Sequence, residues 1–235
     1  MESAQLKCAL CKISSEGGKY VASSGKVVCL VSGGIDSPVA AWLVIRKGCV
    51  PIFIYYDNYP FTGESTKHRA LDTMKKLKEY SVADKLKVYV IPHGPDLADI
   101  LRNCRRNLTC VLCRRMMYRL AERVAKMEKA DAIVTGEIIG EQASQTLRNL
   151  RVENTAVSDT CVLRPVVAMD KVDVERLARK IGTFEVSTRP GLCCSAPPKS
   201  PRTRATMEEV MEAEGKLDIE GMLERDIGNA KILEV

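Results

Sequence analysis

The stretch Lys26 to Pro38, KVVCLVSGGIDSP, decides the fold. Its apolar run, Val27 to Val31, has the composition of a strand buried on both faces. Ser32-Gly33-Gly34-Ile35-Asp36-Ser37 ends the run, and a helical pattern follows. Two glycines let the backbone turn tightly, and a helix starting there aims its free N–H groups at the turn. That geometry holds a phosphate-sized anion. Ser32 and Ser37 add hydroxyl donors. Asp36, acidic where an anion binds, makes sense as a holder of Mg2+. The pattern is not a Walker A loop, because no Gly-Lys-Ser/Thr ends it, nor is it the dinucleotide G-x-G-x-x-G. The plain alternative is a Gly-Gly turn capped by Ser and Asp.

Outward from this turn, apolar runs and helical stretches alternate. Strands are expected at 26–31, 50–56, 86–91, 132–135 and 161–167. Helices are expected at 37–47, 64–80, 95–102, 109–129, 141–150 and 171–181, with two weaker ones at 206–214 and 218–226 after a Pro-rich loop, 187–205. This alternation implies an α/β fold, a doubly wound parallel sheet, in which ligands sit at the carboxyl ends of strands near the topological switch point. The expected division is an appendage at 1–25, the main domain at 26–205 and a helical extension at 206–235.

With 235 residues, 46% of them hydrophobic, the chain can bury a substantial core. A net charge of +6 is compatible with a nucleic-acid partner without being diagnostic of one. No apolar run approaches the ~20 residues of a membrane span, and MESAQLKCALCK lacks a signal-peptide core. These features point to a cytoplasmic protein. In that reducing compartment ten cysteines favour metal, cluster or catalytic thiols over disulfides. Cys29, Cys49 and Cys161 lie in strand-like contexts and read as core filling. Cys110 and Cys113 share one face of a helix start near Arg105, Arg106, Arg114 and Arg115, which should favour thiolates. Two thiols are too few for a closed metal site. Cys8-Ala-Leu-Cys11 is half a zinc site or an interface feature, completed by a second subunit in a homodimer, by Cys104 or by nothing; a structural turn is the plainer reading. His93 ends a strand near the turn and reads as a hydrogen-bonded structural histidine.

A second motif, Thr135-Gly136-Glu137-Ile138-Ile139-Gly140-Glu141-Gln142-Ala143-Ser144-Gln145-Thr146-Leu147-Arg148-Asn149-Leu150, again follows a strand and is expected to open a helix. Leu163-Arg164-Pro165, Asp170-Lys171 and Ala178 to Thr183 come later. SGGIDS resembles the PP-loop of ATP pyrophosphatases. With the second motif, the chain over roughly 26 to 205 resembles the tRNA 4-thiouridine synthetase family, a branch of that group with an adenine nucleotide α-hydrolase-like (HUP) fold. Family members adenylate a uridine carbonyl oxygen in tRNA and replace it with sulfur.

The resemblance implies that Leu30, Val31, Ser32, Gly33, Gly34, Asp36 and Ser37 contact ATP. It implies that Tyr55 and Tyr56 meet the adenosine, that Arg114 is a basic nucleotide contact, and that Gly136 and Gln145 complete the site. For the two tyrosines, packing under a loop is the alternative; for Arg114, a solvated basic face. The resemblance places the catalytic cysteine of the family in the loop of Cys193 and Cys194, with Cys194 the better match. The archaeal branch binds an iron–sulfur cluster, 4Fe-4S or 3Fe-4S, through a CxxC and a third cysteine, which here implies Cys110, Cys113 and Cys194.

Family members normally carry an N-terminal tRNA-binding module, and many bacterial ones a C-terminal rhodanese domain. Neither is expected here, so a separate tRNA-binding (THUMP-like) protein and a sulfide or persulfide donor are the implied partners. Basic residues at 102–119, Arg148, Arg151 and 199–204 would rim the site for tRNA if the 109–129 helix and the Pro-rich loop meet. The function expected is ATP-dependent tRNA thiolation. The alternatives are adenylation of another RNA position or a small molecule, and a non-catalytic nucleotide- and cluster-binding subunit.

Overall fold

The computed structural model describes residues 25–191 and 194–235. The expectations for Cys8, Cys11 and Cys193 lie outside the described residues. Strand β1 (Lys26–Leu30) leads through α1 (Asp36–Ile45) to β2 (Val50–Asp57), then through α2 (Glu64–Lys78) to β3 (Lys87–Pro92). Two helices, α3 (Gly94–Asn103) and α4 (Thr109–Glu128), carry the chain back to β4 (Ala132–Val134). Then follow α5 (Leu147–Asn154), β5 (Cys161–Leu163), α6 (Lys171–Lys180), a single turn α7 (Phe184–Ser187), α8 (Met207–Glu214), α9 (Ile219–Gly228) and β6 (Lys231–Glu234). Among the described residues, no helix is long and apolar enough to cross a membrane.

The sheet order is β5-β4-β1-β2-β3-β6. The first five strands, β5 to β3 in that order, pair parallel and β6 pairs antiparallel with β3, so the sheet is parallel with one reversed edge. The chain winds outward from β1 to β3 and then returns to the far side of β1. The switch point therefore lies between β1 and β4, where a ligand crevice is expected.

Alternation along β1 feeds two cores. Val27, Cys29 and Val31 pack with α1, α2 and α6 on one face. Val28 and Leu30 pack with α4 and α9 on the other. This two-sided burial is why the run reads as unbroken apolar sequence. A smaller cluster joins Ile100, Val111, Leu112, Val152, Val210 and Ala213 from α3, α4, α5 and α8.

Three expectations need correction. The helix expected from residue 141 starts at Leu147, because residues 140–146 close a loop in which Gly140 N–H donates to the Gln145 carbonyl (3.1 Å). Gly140 has φ +85°, which no L side chain adopts without strain. Thr146 is the true cap, accepting from Asn149 N–H at 3.2 Å. Cys161 is exposed rather than core, since β5 is an edge strand. The final strand β6, exposed along its length, was not expected at all.

Candidate nucleotide and sulfur site

The turn after β1 is held by its own hydroxyls. Ser32 N–H donates to Ser37 Oγ (2.9 Å), the two hydroxyls lie 3.1 Å apart, and Gly34 N–H donates to Ser32 Oγ (3.2 Å). Both serines therefore shape the loop as well as offering donors. No side chain caps the N-terminus of α1, which leaves its first N–H groups for an anion. Ser187 Oγ donates to the Gly34 carbonyl (3.1 Å) and braces the turn from α7.

Asp36 opens α1 and is paired: Lys171 Nζ lies 2.6 Å from Asp36 Oδ1 and 3.9 Å from Glu141 Oε2. Lys171 is thus a site residue that lay unassigned in the Asp170-Lys171 pair of the sequence. The second motif closes over the first. A Cβ at Gly136 would stand 2.4 Å from the backbone N and Cα of Ser37, so only glycine lets the strand end approach α1 this closely. Gln145 is buried and its Oε1 has no hydrogen-bond partner, a polar atom that a ligand group in the crevice would satisfy.

Glu137 is the hub behind this wall. It accepts from Arg114, from Arg164 Nε (2.6 Å), from Tyr118 Oη (2.6 Å) and from Thr135 Oγ1 (2.9 Å). Burial alone would push its carboxyl up, but Arg114 and then Arg164 bring it to about 2. Arg114 is therefore clamped beneath the site and is not part of a solvated face. Tyr55 and Tyr56 are buried on opposite faces of β2. Tyr56 donates from its hydroxyl to the Met117 carbonyl (2.5 Å) and its ring stands edge-on to His93.

The cysteines form a second center beside the first. Cys110 and Cys113 lie on the first turns of α4, and the loop bearing Cys194 comes close enough that charge on Cys194 would bear on Cys110. None of the described cysteines is in a disulfide. The expectation of ready thiolates fails. Burial first, then the neighbouring thiols and Glu153, push Cys110 up to about 11. Burial outweighs Arg114 at Cys113, which rises to about 12. The three sulfurs do not gather within 4.8 Å of one another, so they do not form a cage for a single ion. Glu153 on α5 is fully buried beside them with neither carboxylate oxygen hydrogen-bonded, and burial raises it to about 8.

Asn149 ties the two centers together. Its Nδ2 donates to the carbonyls of Ala143 and Arg202 (2.7 Å each), and its Oδ1 accepts from Ala205 N–H (2.9 Å). The asparagine of the second motif thus anchors the Pro-rich loop. Arg202 N–H also reaches the Asn107 carbonyl (2.8 Å) just before α4. The helix and the loop do meet, which leaves Arg105, Arg106, Arg148, Arg151, Lys199 and Arg204 exposed around them. Arg115 and Arg119 are withdrawn from that rim by Glu214.

Residues 22–219 match the family model described as "Thiamine biosynthesis protein (ThiI)". The chain belongs to the ThiI family. Among its relatives, the "Probable tRNA sulfurtransferase" of Methanosarcina mazei is 38% identical over 223 residues, covering 95% of this chain and 55% of that protein. The one from Methanothermobacter thermautotrophicus is 42% identical over 207 residues, covering 88% and 53%. The chain spans about half the length of the curated ThiI-family relatives it matches. A solved structure described as a 4-thiouridine synthetase–RNA complex with bound ATP superposes with a TM-score of 0.87 at 31% identity, covering 92% of this chain and 56% of that one. An NMN synthetase from Francisella tularensis, at 15% identity and a TM-score of 0.52 over 86% of this chain and 83% of that one, shares the fold alone.

Within this ThiI-family frame, sequence reasoning missed Lys171, Glu137, Asn149 and His93 as parts of the two centers. Three of these were quoted in motifs without a role. His93 was placed near the nucleotide turn, yet its Nε2 lies 3.3 Å from Cys113 Sγ.

Proposed function

We propose that this chain is the adenylating and sulfur-transferring part of an ATP-dependent tRNA sulfurtransferase of the 4-thiouridine type. One arrangement carries the reading: Gly136 of the second motif packs against Ser37 at the uncapped N-terminus of α1, and Asn149 of the same motif holds the Pro-rich loop whose Cys194 lies near Cys110. Anion binding and sulfur chemistry at a common edge of the sheet are what thiolation by way of an adenylate requires.

ATP binds with its phosphates over Ser32 to Ser37, on the free N–H groups of α1. Leu30, Val31 and the backbone ends at Tyr55 and Tyr56 form the floor, and Gln145 Oε1 accepts a hydrogen bond from the nucleotide. Asp36 holds Mg2+, for which one carboxylate and the phosphate oxygens suffice, and Lys171 fixes that carboxylate by holding Oδ1. The uridine O4 attacks the α-phosphorus and pyrophosphate leaves. Positioning and charge neutralisation are the protein's share of this step. A sulfur nucleophile then displaces AMP at C4.

Cys110 and Cys113 one turn apart on α4, with Cys194 close enough to bear on Cys110, offer three thiols from two segments, a donor set that suits an iron–sulfur cluster. Cys110, Cys113 and Cys194 would hold it as thiolates. When bound, the group supplies an iron open to inorganic sulfide. The exposed arginines and lysines of the rim track the tRNA backbone, with further tRNA contacts supplied by a THUMP-like module. Protein purified anaerobically, given ATP, unmodified tRNA and sulfide, should form 4-thiouridine by nucleoside mass spectrometry and contain iron. A colourless, metal-free and fully active protein removes the cluster, and an absence of tRNA-stimulated ATP/pyrophosphate exchange removes the whole reading.

A further inference from the structure

Behind Cys113 runs a buried polar chain that the thiolation reading does not use. His93, the residue before α3, and Asp96, in its first turn, have no exposed surface. His93 Nδ1 lies 2.9 Å from Asp96 Oδ2, and Nε2 lies 3.3 Å from Cys113 Sγ. The ring of Tyr56 stands edge-on at 5.6 Å and fixes the imidazole plane. The far end of the chain belongs to α9. Arg225 Nη2 donates to Asp96 Oδ1 (2.5 Å), Nη1 to Asp99 Oδ2 (3.2 Å) and Nε to Asp226 Oδ1 (3.3 Å).

His93, Asp96 and Asp226 are the one His/Cys/Asp/Glu trio within 4.8 Å among the described residues, and they look like a metal site. Their cation is already present: the Arg225 guanidinium touches both carboxylates, and burial together with Asp96 raises Asp226 to about 8, which keeps a proton on the pair. The imidazole is held by Asp96 at Nδ1, and its Nε2 lies against Cys113 Sγ. A metal-bound ligand oriented by a hydrogen-bonded outer partner follows the same logic as carboxylate–histidine pairs at other metal centers.

We propose that His93 is the positioning residue for Cys113 Sγ in the loaded sulfur site, and that Arg225 and Asp226 on α9 hold the imidazole for that task. The inference rests on the cluster reading above. It makes α9, most of which lies beyond the matched residues 22–219, a working part of the sulfur center. The Nε2–Sγ contact at 3.3 Å fixes the side from which the sulfur can be approached and places a polar ring nitrogen against it.

The test uses the full chain loaded anaerobically with iron and sulfide. His93→Phe and Arg225→Gln should lose iron to a chelator about 10- to 100-fold faster than the unaltered protein, and the midpoint potential of the retained cluster should fall. Arg225→Lys should recover most of the retention. Arg225 is 38% exposed, so its variants keep the core filled if His93→Phe does not fold. Wild-type chelator kinetics and an unshifted potential in Arg225→Gln overturn the inference while leaving the cluster reading standing, provided Cys113→Ala lowers iron content. If unaltered protein and Cys113→Ala both take up no iron, the cluster reading falls and this inference with it.

Discussion

The turn after β1 and the surroundings of Cys113 occupy the same end of the sheet, yet they are built in opposite ways. The turn is local: Ser32, Gly34 and Ser37 hold one another across five residues. The sulfur center is assembled at long range, from His93 just before α3 and Asp96 on it, Cys110 and Cys113 on α4, the loop of Cys194 and Arg225 on α9. Their electrostatics differ as well. Glu137, behind the nucleotide wall, has four donors and stays ionised. Glu153, beside the thiols, has none and is raised. The carboxylate of one region is fully paired; that of the other is buried without a hydrogen-bond partner.

Chemistry should separate the two regions first. Cys113→Ala should abolish thiolation while tRNA-stimulated ATP/pyrophosphate exchange continues; loss of both activities would make Cys113 structural. Asp36→Ala should do the reverse, lowering exchange by about 10²–10³ with iron content unchanged. Retained exchange would remove Asp36 from the magnesium role. Gly136→Ala should then show that the nucleotide walls are rigidly coupled: a methyl 2.4 Å from Ser37 backbone should destabilise the fold by about 1–3 kcal/mol, read as a lower denaturation midpoint. An unchanged midpoint would mean that the walls separate freely.

The smallest effect is a slope. Glu153 keeps its proton in the folded, unloaded protein up to about pH 8, while the unfolded chain loses it near 4.5. Stability from this group therefore falls as pH rises between those values. Glu137 works the other way: its contribution is present above 4.5 and is lost as pH falls toward about 2. Glu153→Gln should flatten the decline between pH 5 and 8 in unfolding experiments. A decline equally steep in the variant would assign it to other groups.

This contrast also explains what the sequence made legible. β1, its turn and α1 are contiguous, so one run of residues carries the strand, the glycines and the helix start. The Thr135 to Leu150 motif was visible, but its helix began later than expected because Gly140 folds the middle into a loop; the Thr146 cap, with Asn149 three residues on, was the signal for the true start. CxxC spacing located Cys110 and Cys113, but not the protonation of their thiols, which burial in the folded chain decides. His93, just before α3, and Cys113, on α4, are twenty residues apart, and nothing periodic links them. β6 was missed because KILE is short and exposed, with too little apolar pattern to stand out beside the helix before it.

That last strand has reach beyond its four residues. Two residues separate it from α9, it is zipped along β3, and Val235 and Leu86 exchange both backbone hydrogen bonds at 3.0 Å. Peeling this rung would slacken the helix whose guanidinium braces the imidazole. Wear at the outer margin of the molecule would then be felt at the sulfur before it was felt in the core.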